Sequence, residues 1–129
     1  MNPGLEGKEY PEVAFHVEPG RVAAFRRVFG LVAGVPPTFA AAAESTVFPQ
    51  IVGDPELQLD LSRVLHGSQE YVHHRPLVEG ETVTVRTKLT AIRSRGKNRF
   101  LTIATDLVGA DGEIACAARS TMIERGGGA

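Results

Sequence analysis

The stretches Thr82-Val83-Thr84-Val85-Arg86-Thr87-Lys88-Leu89 and Arg99-Phe100-Leu101-Thr102-Ile103-Ala104-Thr105-Asp106-Leu107-Val108 decide the architecture of this chain. Val83, Val85, Thr87 and Leu89 in the first, and Leu101, Ile103, Thr105 and Leu107 in the second, fall on every second residue. A largely apolar face at period two is the pattern of a strand covered on one side. Ser94-Arg95-Gly96-Lys97-Asn98 and Ala110-Asp111-Gly112-Glu113 have hairpin chemistry. The spacing therefore predicts three long neighbouring antiparallel strands, over Thr82 to Arg93, Arg99 to Val108 and Ile114 to Glu124.

Upstream the pattern changes. Val13, Phe15 and Val17 alternate within a short strand from Glu12 to Val17, and Met1 to Pro11 reads as a loose lead-in. After Pro19-Gly20, the residues Val22, Phe25, Val28 and Phe29 lie at helical spacing over Arg21 to Phe29, with Gly30 as the stop. Gly34, Pro36 and Pro37 predict a turn in Leu31 to Phe39. Thr38 then caps a low-polarity helix over Phe39 to Phe48, with four alanines followed by Glu44, which Pro49 ends or kinks. A further strand starts at Val64, Gly80 permits a tight turn, and Gly126 to Ala129 is expected to fray. Together these elements predict a single α+β domain over residues 1–129, a curved antiparallel sheet wrapped around a central helix.

Composition narrows the function classes. At 129 residues the chain suits one domain that needs no covalent staple. Its 14 Lys+Arg against 15 Asp+Glu leave a formal charge of -1, which argues against a general electrostatic partner such as nucleic acid or an anionic membrane. The only cysteine, Cys116, can form neither an internal disulfide nor a multi-cysteine zinc site. With no apolar leader and no long apolar run, the expectation is a cytoplasmic protein with no membrane segment.

The segment Val64-Leu65-His66-Gly67-Ser68-Gln69-Glu70-Tyr71-Val72-His73-His74-Arg75-Pro76-Leu77-Val78-Glu79-Gly80-Glu81 resembles the signature of MaoC-like hydratases and dehydratases, closest to their N-terminal, FAS1-like dehydratase branch. Val35-Pro36-Pro37-Thr38-Phe39, Asp111-Gly112-Glu113 and Ala118-Arg119-Ser120-Thr121 extend the resemblance over most of the chain. It implies a hot-dog fold, a dimer of such domains, and an acyl thioester of coenzyme A or acyl carrier protein as substrate, with no further cofactor. The dimer is either a homodimer or a heterodimer with a second hot-dog subunit. Catalytic members resembling this chain use an aspartate and a histidine on a loop before the central helix to add or remove water beside the thioester. The corresponding place here, Leu31-Val32-Ala33-Gly34-Val35, holds neither. The resemblance thus implies a (3R)-hydroxyacyl-thioester dehydratase or enoyl-thioester hydratase subunit that shapes the acyl site beside a partner carrying the pair.

The alternatives are a homodimeric acyl-CoA thioesterase or hydratase using Glu44 or His66, or an acyl-CoA-binding regulatory domain. Glu44 is the suspicious acid, because it follows Ala40 to Ala43 in a helix expected to be covered by the sheet. It would either act as a base there or face the open side of the helix or the dimer seam. Strand alternation places His66 and His74 on one face and His73 on the other, with no partner set for a metal. His66, Gln69, Tyr71, His74 and Arg75 are the candidate substrate-binding residues. For Tyr71 the alternative is plain core or interface, and for Arg75 a surface ion pair before the turn proline.

Overall fold

The computed structural model describes residues 1–126. The strands are β1 (Val13–His16), β2 (Val64–His73), β3 (Thr82–Arg95), β4 (Asn98–Val108) and β5 (Ile114–Glu124), and the helices are α1 (Pro19–Phe29), α2 (Ala40–Glu44) and α3 (Phe48–Val52). All strand pairs are antiparallel, in the order β1-β3-β4-β5-β2. The long strands predicted from the alternating residues are present. Their covered face carries Val83, Val85, Thr87 and Leu89 on β3 and Leu101, Ile103, Thr105 and Leu107 on β4, all buried.

That inner face receives α2. Ala40, Ala43 and Val47 pack with Phe15, Val83, Val85, Leu107 and Cys116, so the small side chains let the helix backbone approach the sheet closely. The helix is shorter than the predicted span from Phe39 to Phe48. A 3-10 turn at Pro37–Phe39 leads into five residues, and the helix stops at Ser45. Ser45 Oγ donates to the Ala42 carbonyl and Thr46 Oγ1 to that of Ala43, capturing acceptors a continuing helix would need. Pro49 begins the next helix instead of ending the first, since a proline in the first turn removes no helical hydrogen bond. Thr38 lies within the 3-10 turn and makes no capping bond there. Helix α1 is capped by Glu18, whose carboxylate accepts from the Gly20 and Arg21 amides, and it stops at Gly30 in the left-handed conformation.

The N-terminal segment corrects another expectation. Instead of a loose lead-in, Gly7, Lys8 and Tyr10 hydrogen-bond to the backbone of β3, and buried Tyr10 joins Ile51, Leu57, Leu89, Ile92, Leu101 and Ile103 in a second core. The expected fraying of Gly126 to Ala129 concerns residues mainly outside the described ones. Gly126 itself donates to Asn98 Oδ1.

Candidate functional site

Strand β2 forms the edge of the sheet, and its register decides which side chains meet α2. A β-bulge between His66 and Ser68 puts one extra residue on β2. The partners before and after it, His66 opposite Met122 and Gln69 opposite Ser120, show that His66 lies on the same inner face as Gln69, Tyr71 and His73. The alternation expected from sequence paired His66 with His74. The bulge overturns it, because one added residue exchanges the two faces of everything beyond it. Gly67 makes this possible: a β-carbon there would collide with the Ile123 side chain.

The inner face of β2 and β5 therefore carries a polar row beside α2. Glu44, 2% exposed, accepts from the Tyr71 hydroxyl at 2.8 Å and from Gln69 Nε2 at 2.9 Å, so each carboxyl oxygen has a donor. Gln69 and Tyr71 share a face as the sequence predicts, and Glu44 points at the edge strand rather than at open solvent. Burial, and then the hydrogen bond to Glu44, raise the Tyr71 pKa well above that of an ordinary phenol. Cys116, opposite His73 and 3.9 Å from its Nε2, is pushed up to about 11, first by burial and then by the Glu44 charge. At neutral pH it remains a thiol rather than a nucleophilic thiolate.

His66 Nε2 stands 3.0 Å from the Ser68 carbonyl and 3.0 Å from Ser120 Oγ. A carbonyl only accepts, so the contact with Ser68 favours the tautomer with its hydrogen on Nε2, in which that nitrogen has no lone pair with which to deprotonate Ser120. This geometry does not build a serine–histidine dyad, although the two residues are in contact. Ser120, His73 and Cys116 were not among the sequence candidates. Only the β2–β5 register brings them to the row.

His74 and Arg75 belong to a different place, a recess shared with Asp111, Gly112, Glu113 and Ile114 beyond the end of β2. Arg75 forms a two-pronged pair with Glu81, at 2.9 and 2.8 Å, and donates to the Pro76 carbonyl. The guanidinium holds the Glu81 carboxyl below its ordinary 4.5. A lowered native pKa gives stability that is complete above that ordinary value and disappears as the pH falls through the native one. Arg75→Gln is therefore expected to raise the midpoint of acid unfolding while converging with the parent at the lowest pH. Equal acid-titration curves by circular dichroism would contradict this.

In the connection after α1, Val32 is 97% exposed and none of Leu31 to Val35 is an acid or histidine. Among the described residues, no three His, Cys, Asp or Glu side chains converge to hold a metal ion, and no helix is long and apolar enough to cross a membrane.

A five-stranded antiparallel sheet whose inner face holds a short central helix, with a long edge strand, defines a hot-dog domain. Solved structures share this fold. A C-terminally truncated HadBC (3R-hydroxyacyl-ACP dehydratase) complex from Mycobacterium tuberculosis superposes with a TM-score of 0.78 over 92% of this chain and 96% of that one, at 17% identity. The (R)-hydratase from A. caviae involved in PHA biosynthesis gives 0.63 over 91% and 94%, at 19% identity. The profile of the FAS1-like, dehydratase domain region matches residues 9–118, and the chain belongs to that family.

Among curated relatives, a UPF0336 protein of Saccharopolyspora erythraea is 42% identical over 91 residues, which are 70% of this chain and 58% of that protein. The match thus spans little more than half of that relative. A UPF0336 protein of Leifsonia xyli aligns over 149 positions, 98% of this chain and 97% of that protein, at 30% identity. This chain has 129 residues, so at least 20 aligned positions have no counterpart in it.

Proposed function

We propose that this chain is the non-catalytic, acyl-site-shaping half of a (3R)-hydroxyacyl-thioester dehydratase or enoyl-thioester hydratase, working beside a second hot-dog subunit that carries the aspartate and histidine. The observation that carries this reading is the Leu31 to Val35 connection, which offers no acid or histidine able to move a proton in the stretch that the resemblance to the catalytic members sets before the central helix. The coenzyme A or acyl carrier protein thioester is the substrate, and no other cofactor is required. On this reading Gln69 and Tyr71, held in place by Glu44, line with His66 the wall that this subunit contributes.

The edge strand supports association. Its 10 residues contain no proline or lysine, and Leu65 and Val72 on it are about half exposed. An edge of this kind pairs readily with another strand unless something covers it. The occupied oxygens of Glu44 and the contact of His66 Nε2 with the Ser68 carbonyl weigh against the thioesterase alternative.

The test combines sedimentation with hydration of crotonyl-CoA. The isolated chain is expected to give turnover at background. Mixed with a hot-dog subunit bearing the aspartate and histidine, it should sediment as a heavier complex with activity above that of either chain alone. Robust turnover by the pure chain that is lost in His66→Ala would overturn the reading. A monomer under both conditions would remove the partnership, and acyl-CoA binding without activity in any mixture would favour the regulatory alternative.

A further inference from the structure

A second feature lies away from the polar row, on the outer side of α1. Arg21, Ala24, Phe25, Val28, Phe39 and Ala42 line an open groove of about 300 Å³ between α1 and the start of α2. Its floor is aromatic: Phe25 meets Phe39 edge to face at 5.4 Å, and Phe39 lies 6.2 Å from Phe15. Val28, 78% exposed, leaves the far end apolar and open, and exposed Phe29 and Val32 follow it in sequence. The near end carries Arg21, the only charged side chain among the described residues of the lining.

That side chain is placed but unpaired. The Arg21 guanidinium sits over the Phe15 ring at 5.6 Å, and among the described residues it makes no ion pair within 4.0 Å. Glu18 is the acid close in sequence; the Arg21 charge acts on its carboxyl, but its two oxygens accept from the backbone amides of Gly20 and Arg21 and make no ion pair with the guanidinium within 4.0 Å. The other two arginines of the helix differ: Arg26 is bound to Glu79 and the Gly34 carbonyl, and Arg27 does not line the groove.

We infer that this groove is a binding site for an alkyl carboxylate of medium length, its tail along Phe25, Val28, Phe39 and Ala42 and its head on Arg21. An apolar trough of this size falls at the lower end of small-molecule sites, roughly 300–1,000 Å³. It takes an alkyl chain because burying methylenes there removes apolar surface of both from water. A single guanidinium fork matches a monoanionic carboxylate, with two parallel hydrogen bonds to its two oxygens. A doubly charged phosphate would call for a second cation, which the lining lacks among the described residues. This site is independent of the dehydratase reading, since it shares no residue with the row on β2.

Calorimetric titration of the whole chain with sodium decanoate, kept below its micelle concentration, tests the assignment, with decan-1-ol as the uncharged ligand. One decanoate per chain is expected. Arg21→Gln should weaken it about tenfold or more, the scale on which a charge-assisted hydrogen bond contributes to affinity. Val28→Asp should abolish binding, and Arg27→Gln should leave it unchanged. Arg21, Arg27 and Val28 are all exposed, so unchanged melting curves will show that the variants remain folded. Amide shifts in a labelled sample should cluster at Ala24, Phe25, Val28 and Ala42. The assignment is overturned by no binding, by decan-1-ol binding as tightly as decanoate, by equal losses in Arg21→Gln and Arg27→Gln, or by shifts at Gln69 to His73. The last result would place the alkyl chain on the inner face of β2 and leave the dehydratase reading standing.

Discussion

Glu44→Ala is expected to lower the stability of the protein by about 3 kcal/mol, because two donors lose their acceptor at once. The Tyr71 hydroxyl and the Gln69 amide both end on this carboxylate, in a space from which Glu44 itself is almost wholly withdrawn from water. An unsatisfied buried donor costs about 1–3 kcal/mol, and the missing side-chain atoms leave a void beside Ala43. For a chain of this length the melting temperature should fall by about 10 °C. Glu44→Gln is the informative companion. Its carbonyl oxygen still accepts from Tyr71, and Gln69 can rotate its amide to accept from the new NH2, so the loss should stay within about 1 kcal/mol.

The same pair of variants separates packing from chemistry. With Glu44 as a structural tie between α2 and the edge strand, both variants leave acyl-CoA hydrolysis at background and differ only in stability. If Glu44→Gln kept its melting temperature but lost a measurable hydrolysis by orders of magnitude, Glu44 would be the group that activates water, and the thioesterase alternative would take over.

Deleting residues 1–11 is expected to abolish cooperative folding. The segment looks expendable, with its glycines and prolines, yet it covers one end of the second core. Tyr10 is buried there, its hydroxyl donates to Asp54 at 2.8 Å, and Leu5 and Met1 pack beside it. Backbone bonds from Gly7 to Leu89, from Leu89 to Lys8 and from Tyr10 to Thr87 extend the sheet beyond β1. Burial of a large apolar side chain contributes about 1.5–3 kcal/mol, so Tyr10 with partial shares from Leu5 and Met1 comes to roughly 5 kcal/mol. A domain has only about 5–15 kcal/mol in total. The truncated chain should lose its sharp thermal transition and bind a hydrophobic dye. A melting curve within a few degrees of the parent would show that the second core closes without the segment. Tyr10→Phe, which removes only the bond to Asp54, should cost about 1 kcal/mol.

Much of the architecture is written locally. Alternation along Val83 to Leu89 and Leu101 to Leu107 specifies strands with one buried face, because a strand's side chains alternate whatever its neighbours are. Pro19, Gly30, Gly80 and Gly112 mark turns and helix ends through their own backbone limits, and the latter three adopt positive φ. The family is legible as well, since Leu65-His66-Gly67, Arg75-Pro76 and Gly80-Glu81 stand in order at fixed spacing. So is the empty Leu31 to Val35 connection, on which the functional reading rests.

The faces of β2, the partners of Glu44 and the role of the N-terminal segment were decided elsewhere. His66 joins Tyr71 and His73 only because the ladder with β5 slips by one residue at Gly67, where a β-carbon would meet the side chain of Ile123, more than fifty positions away. Alternation read along one strand carries no information about a bulge in its pairing with the opposite strand. Glu44 could have faced solvent or sheet by helical periodicity alone, and it faces Gln69 and Tyr71 because Ala40 and Ala43 set the helix rotation against the sheet. Met1 to Pro11 has no periodicity to read, and its order comes from β3, which supplies the backbone partners, and Asp54, which receives Tyr10. The sequence by itself determined the long strands, the first helix and the family they make. The tertiary structure decided which side chains meet, because register and helix rotation are properties of pairs of elements and of neither one alone.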